Sequence, residues 1–287
     1  MGEDSSRRLP RWWFGGVCAA IAVTGTHPID LIKVQLQTQS QADRKTVGEI
    51  LKGIHERSGI LGFYNGISAS WFRQLTYTTT RFALYEAGKD YVDTQKVSSK
   101  MALATFAGIV GGIVGVPGDV VTVRLQNDVK LPEEKRRNYK HVFDGLFRIY
   151  KEEGVSSLFR GTVPAVSRAV LLTIGTNAAY DQVKQMLKIA TGAGEGVPLH
   201  FATSTIAGCI AVVITQPLDV IKTTFMNAQP GEFSGIGGAF LSTAKQGPLA
   251  FYKGFIPALI RVSPNTIITF VLYEQARMRF GYLPPDK

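Results

Sequence analysis

One three-part pattern occurs three times in the same order along this chain, and that constrains the fold more than any other feature. Pro28-x-Asp30-x-x-Lys33, Pro117-x-Asp119-x-x-Thr122 and Pro217-x-Asp219-x-x-Lys222 share a frame, 89 and then 100 residues apart. Each follows an apolar run, Trp12 to Val23, Met101 to Val116 and Phe201 to Ile214. A polar stretch comes next, and then a second marker: Tyr64-Asn65-Gly66, Phe159-Arg160-Gly161 and Tyr252-Lys253-Gly254. A further long stretch ends each copy in Tyr85-Glu86-x-x-Lys89, Tyr180-Asp181-x-x-Lys184 or Tyr273-Glu274-x-x-Arg277. Markers recurring at a long, fixed order signal a repeat architecture, with one supersecondary unit per repeat.

The spacing predicts a long helix, a short amphipathic helix and a second long helix in each copy. The repeats run over residues 12–93, 99–190 and 197–281, and together they form a single domain. The short helices fall near 46–57, 140–152 and 235–245. Stretches of about 25 residues at about 1.5 Å each can cross a hydrocarbon core about 30 Å thick. The mean hydropathy is only +0.07, so the long helices face lipid on one side and polar groups on the other. Six crossings put both termini on one side. Lys and Arg crowd the connections that carry the short helices, Arg136, Arg137 and Lys140 among them, which assigns those connections to the inner face.

These triplicated Pro-x-Asp-x-x-Lys and aromatic-basic-Gly signals resemble the mitochondrial carrier family over nearly the whole chain. The resemblance implies an all-α membrane protein: six tilted transmembrane helices in three pseudo-symmetric repeats around a central cavity, each repeat with a short amphipathic matrix helix. It implies a multi-pass protein of the mitochondrial inner membrane with both termini toward the intermembrane space. It also implies two gates. At the matrix gate Asp119 would pair with Lys222 and Asp219 with Lys33, while Asp30 meets Thr122 in place of a base. Gln37 and Gln126 match the family's bracing glutamine, and Met226 does not. The cytoplasmic-side gate is complete, with Glu86, Lys89, Asp181, Lys184, Glu274 and Arg277. Proline cannot continue a straight helix, so Pro28, Pro117 and Pro217 would kink three helices inward to meet at the first gate.

A second symmetry concerns substrate. Arg73, Arg168 and Arg261 lie seven residues after Gly66, Gly161 and Gly254, about 10 Å into the membrane. An arginine at that depth needs water, a counter-charge or a bound anion. Arg81 lies eight residues beyond Arg73, with Tyr77 between them on a similar face. Arginine's planar fork suits carboxylate, phosphate and sulfate oxygens, and with no free acid nearby the set reads as a site for a dianion. Arg168-Ala169 resembles the di- and keto-acid group of the family. RQLTYTTTRFALYE and FYKGFIPALIRVSPNTIITF are similar to its dicarboxylate-exchanging branch, from which Thr176-Asn177-Ala178, Thr224 and Asn265 depart. That likeness implies exchange of malate or succinate for phosphate, sulfate or thiosulfate. An oxoglutarate carrier and an uncoupling-type proton carrier are the alternatives on the same scaffold.

Glycine-opened helix N-termini expose amides suited to phosphate. In the family such sites hold cardiolipin, which assigns Gly66, Arg160, Gly161, Lys253 and Gly254 to bound lipid. Gly108 and Gly112 are spaced for close helix contact. The net charge of +10 invites nucleic acid as a partner, but no zinc-ligand spacing, RNA-binding aromatic motif or basic-helix signature accompanies it. His27, His55, His141 and His200 form no metal-ligand spacing, and there is no Walker loop. The expectation is a transporter and not an enzyme, without metal or cofactor beyond bound cardiolipin. A cavity inside one chain makes a monomer sufficient.

Overall fold

The computed structural model describes residue 11 and residues 13–39, 45–92, 96–128, 131, 136–192, 196–229 and 231–281. Among them every regular secondary-structure element is a helix. The first repeat contributes α1 (Phe14–Gln37), α2 (Val47–Ser58), a short 3-10 turn (Ile60–Tyr64) and α3 (Ile67–Gly88). The second contributes α4 (Val97–Asp128), α5 (Val142–Glu153), the single turn α6 (Val155–Leu158) and α7 (Thr162–Thr191). The third contributes α8 (Val197–Asn227), α9 (Ile236–Lys245), a 3-10 turn (Pro248–Tyr252) and α10 (Phe255–Phe280).

The six long helices close into a ring in the order α1, α3, α4, α7, α8, α10 and back to α1. The three proline-containing helices, α1, α4 and α8, also touch one another across the ring axis. Each runs on through its proline, where one backbone donor is missing and the ring crowds the preceding turn. The short helices dock near the motifs through small apolar cores. Ile50 and Ile54 of α2 pack on Leu31, and Val142 and Ile149 of α5 belong to the core that holds Val120 and Val121. Ala239 of α9 meets Ile221 and Phe225. A reciprocal capping box starts α2, in which Glu49 N–H donates to Thr46 Oγ1 and Thr46 N–H to Glu49 Oε2.

Large apolar side chains stand exposed on every long helix, including Ile21, Leu75, Phe106, Ile174, Ile206 and Phe270. A belt of that extent suits lipid and not water. Among the described residues, four segments are both long and apolar enough to span a membrane: Phe14–Gln37, Ser98–Asp128, Ala202–Asn227 and Pro248–Phe280. Helices α3 and α7 have the length, at 22 and 30 residues, but not the apolar composition. Their sequences carry Arg73, Gln74, Tyr77 and Arg81, and Arg168, so averaging around the helix hides the lipid-facing stripe.

Glycines set the closest approaches. A Cβ on Gly111 would lie 3.0 Å from Tyr77 O, one on Gly115 3.1 Å from Tyr77 Cβ, and one on Gly118 3.1 Å from Arg73 Cα. These three glycines therefore let α4 lie against α3. Gly108 and Gly112 do not serve that contact: Gly108 has only Ala169 Cβ at 4.0 Å, and Gly112 has nothing within 4 Å. The sequence held two overlapping small-residue frames, and the rotation of α4 selects the other one.

Gly66, Gly161 and Gly254 start α3, α7 and α10 in the left-handed region, with φ of 83°, 91° and 71°. Each also abuts the motif helix of another repeat. A Cβ on Gly254 would sit 2.9 Å from Lys33 O, one on Gly161 2.8 Å from Met226 Cε, and one on Gly66 3.3 Å from Gln126 Cγ. Gly254→Ala is therefore expected to lower stability by about 2 kcal/mol or more. Gly237→Ala, inside α9 with open space around it, should be neutral or stabilising by up to about 1 kcal/mol. Thermal unfolding of the purified variants in detergent checks the contrast.

Candidate functional site

Where α1, α4 and α8 converge, their motif residues and the arginines of α3, α7 and α10 line an open polar cavity of about 110 Å³. Lys33 Nζ donates to Asp219 Oδ2 at 2.9 Å, and Lys222 Nζ pairs with Asp119 Oδ2. These bonds join α1 to α8 and α8 to α4. Thr122 lines the same cavity but turns its hydroxyl back to its own helix, donating to Gly118 O at 2.7 Å.

Arg73, Arg168 and Arg261, on the second long helix of each repeat, complete this network. Arg73 Nε lies 3.4 Å from Asp119 Oδ1, Arg168 Nε pairs with Asp219 Oδ1, and Arg261 Nε lies 3.0 Å from Asp30 Oδ1. Arg261 Nη1 also donates to Asp30 Oδ2 at 3.0 Å. Each arginine thus reaches the aspartate of the following repeat, in cyclic order. The reading that no acid stands near them is corrected here, because the gate aspartates are their partners. Those aspartates lie up to 231 residues away in sequence, and chain neighbours could not reveal them. Tyr77 and Arg81 sit on α3 one and two turns farther from the gate, with Arg81 Nη1 3.5 Å from Tyr77 Oη.

The cavity wall therefore carries five cationic side chains (Lys33, Arg73, Arg168, Lys222 and Arg261) against three carboxylates (Asp30, Asp119 and Asp219). With all of them ionised, the wall has a surplus of two positive charges. Low exposure of the carboxylates, 11 to 16%, makes each pair strong and each unpaired charge costly.

At the opposite end of the ring the ion pairs are arranged differently. Lys89 Nζ donates to Glu86 Oε2 at 2.8 Å, and Arg277 Nη2 to Glu274 Oε2 at 2.8 Å, each within its own helix. Asp181 and Lys184 share a face of α7 at the same level. Cross-helix pairing thus holds the proline-motif end, while Glu86–Lys89 and Glu274–Arg277 link no two helices at the other mouth.

Comparison with known proteins shows the family. The family model described as "Mitochondrial carrier protein" matches three times, at residues 6–96, 93–190 and 194–282. The chain belongs to the mitochondrial carrier family. It is 54% identical over the full length of both chains to the mitochondrial dicarboxylate carrier of Caenorhabditis elegans. It is 41% identical to a probable mitochondrial 2-oxoglutarate/malate carrier protein of Dictyostelium discoideum, covering 93% of this chain and 89% of that one. Mitochondrial citrate transporter F of Aspergillus niger is 37% identical, over 95% of this chain and 90% of its own.

Within this carrier, the residues matched to the bracing glutamine pack beneath the gate. Gln37 Oε1 accepts from Thr223 Oγ1 at 3.0 Å, Gln126 is buried, and Met226 fills the third place against Gly161. The basic residues before the helix-starting glycines are engaged with protein groups. Arg160 Nη1 donates to Ala228 O at 3.1 Å and its guanidinium stacks over Phe225. Lys253 Nζ donates to Gln39 O at 2.7 Å and Gln246 Oε1 at 2.6 Å. Both cations tie the start of a long helix to the end of another repeat's motif helix. The N-termini at Gly66, Gly161 and Gly254 have no side-chain cap.

One buried ion pair was not read from the sequence. Arg124 is fully buried, and its Nη2 donates to Glu153 Oε2 at 2.8 Å, clamping α4 to the end of α5. Its Nε donates to Met226 O at 3.3 Å. The signal was present: Arg124 stands seven residues after Pro117, where the other repeats have Gln35 and Thr224. Burial pushes the Glu153 carboxyl upward, but the hydrogen bonds and charge of Arg124 outweigh it and hold the group below the usual glutamate range. A carboxyl depressed in the folded state stabilises fully above its unfolded pKa, and that contribution is lost as pH falls through the folded value. Glu153→Gln is expected to cost about 3 kcal/mol near neutral pH by stranding Arg124. The difference from the parent should shrink below about pH 4, as read by thermal unfolding across a pH series.

Proposed function

We propose that this carrier is an antiporter of the mitochondrial inner membrane that exchanges dicarboxylates such as malate and succinate for phosphate, sulfate or thiosulfate by alternating access. The observation that carries the reading is the surplus of two positive charges on the cavity wall, which a dianion neutralises. Arginine forks bind carboxylate and phosphate oxygens alike, so one site serves both partners of the exchange. The dicarboxylate carrier and the 2-oxoglutarate/malate carrier among the relatives favour the same class.

The mechanism follows from shared partners. An anion descending between the helices meets Arg81 and Tyr77 first and then the arginines beside the gate. Its carboxylates compete with Asp119 and Asp219 for Arg73 and Arg168, and this frees α3 and α7 from the aspartates of α4 and α8. Ion pairs at partly desolvated sites contribute on the scale of a few kcal/mol, which differential binding of one substrate can offset. As the helices part at the matrix end, Glu86, Lys89, Asp181, Lys184, Glu274 and Arg277 exchange their present partners for ones on other helices and close the cytoplasmic side. Gln37 and Gln126 support the closed matrix gate. Cardiolipin headgroups held by the amides after Gly66, Gly161 and Gly254 would anchor the repeats to the matrix leaflet, with both termini in the intermembrane space. The cavity lies within one chain, so a monomer suffices.

Purified protein in liposomes preloaded with phosphate should take up malate, succinate should compete, and empty liposomes should show little uptake. No uptake under either loading would end the dicarboxylate reading. Fatty-acid-stimulated proton flux blocked by purine nucleotides would favour the uncoupling-type carrier, and stronger competition by oxoglutarate than by succinate the oxoglutarate carrier. Arg168→Ala should lower exchange at least about thirtyfold while folded protein remains in the membrane.

A further inference from the structure

We propose that Thr122 sets the charge number of the anion this carrier accepts, by leaving the aspartate of the first repeat dependent on Arg261 alone. The inference rests on the reading of the gate cavity as the anion site and names what selects among anions there. Two of the three gate aspartates have two cations each: Asp119 has Lys222 and Arg73, and Asp219 has Lys33 and Arg168. Asp30 is different. The position that would supply its lysine holds Thr122, whose hydroxyl is spent on Gly118 O. Arg261 Nη1 donates to Asp30 Oδ2 at 3.0 Å, and its Nε lies 3.0 Å from Oδ1 as a charge contact without a hydrogen bond. It therefore acts at that station as the gate base.

The consequence concerns which arginines a substrate can withdraw. An anion that takes Arg73 and Arg168 leaves Asp119 and Asp219 each with a lysine. An anion that also takes Arg261 leaves Asp30 as a buried carboxylate with no ion-pair partner, a state of high energy. Two negative groups can thus be served without stranding an aspartate, and three cannot. The charge balance of the wall gives the same number, since its surplus is two. A lysine at 122 would raise the surplus to three and give Asp30 a second partner, releasing Arg261 to a third carboxylate.

Anion competition in proteoliposomes tests this, with Thr122→Lys beside the uncharged Thr122→Met of similar length. At about pH 7.5 the probes are succinate, a dianion, and citrate, mostly a trianion. The quantity is the citrate concentration that halves malate uptake, divided by that for succinate. Thr122→Lys is expected to lower this ratio about tenfold, the effect of one added unit charge at short range in a partly wet cavity. Thr122→Met should keep the parent ratio. Slower exchange by Thr122→Lys with an unchanged ratio would overturn the proposal, leaving that residue a matter of gate strength. An equal change in Thr122→Met would assign the effect to space and overturn it as well. The same ratio is read without transport from the stabilisation of purified protein by each anion on heating. A parent protein that exchanges no malate would sink the functional reading, and the heating ratios would still decide for or against the role of Thr122.

Discussion

Three carboxylates sit where three helices cross inside an apolar ring, and the architecture of the gate follows from their need for partners. Asp30, Asp119 and Asp219 are each at most 16% exposed, and an unpaired charge at such a site is strongly destabilising. No helix satisfies its own aspartate from its own motif. The lysine three residues on lies along the same face but reaches across to another repeat. Pairing between repeats therefore comes with closing the ring, and the closed end exists because the carboxylates cannot be left alone.

The backbone geometry around the gate is tied to the same place. Gly66, Gly161 and Gly254 lie against Gln126, Met226 and the Lys33–Gln37 turn, one or two turns beyond the gate aspartates. Arg160 and Lys253 then bind carbonyls just past the ends of α8 and α1. Each long helix that carries a cavity arginine thus starts on the motif helix of the next repeat. Motion of one motif helix reaches the arginine of the repeat before it through rigid contacts within a few residues. Repeat two adds the Arg124–Glu153 clamp, which the other repeats cannot make with Gln35 or Thr224 at that position. The ring is three-fold in outline and unequal in stiffness.

The sequence made the repeats, the helix boundaries and the candidate gate residues legible, because each recurs in register and any one copy supports the other two. The short helices fall at Val47–Ser58, Val142–Glu153 and Ile236–Lys245, within a few residues of the spacing-based expectation. Arg73, Arg168 and Arg261 were equally visible, as a fixed offset from three glycines. Their partners were not. Asp30 and Arg261 belong to opposite ends of the chain, and only closing the ring brings them together. The contact between α3 and α4 failed for a different reason. Gly108, Gly111, Gly112 and Gly115 offer two frames one residue out of step, and nothing along α4 itself says which face meets α3.

Exact three-fold symmetry would serve such a cavity poorly. A small anion with two charged ends cannot address three equal stations at once, and a ring of three lysines and three arginines around three aspartates would carry one more positive charge than a dianion cancels. Replacing one lysine by a threonine removes that excess where it does least harm. The hydroxyl of Thr122 is satisfied within its own helix, so no polar atom is stranded. Arg261 places its charge against both oxygens of Asp30 and donates one hydrogen bond, from Nη1 to Oδ2. The result is two stations whose arginines can be lent to a substrate and one whose arginine is held. The asymmetry in the sequence thus becomes a difference in function among side chains that the fold places at equivalent points.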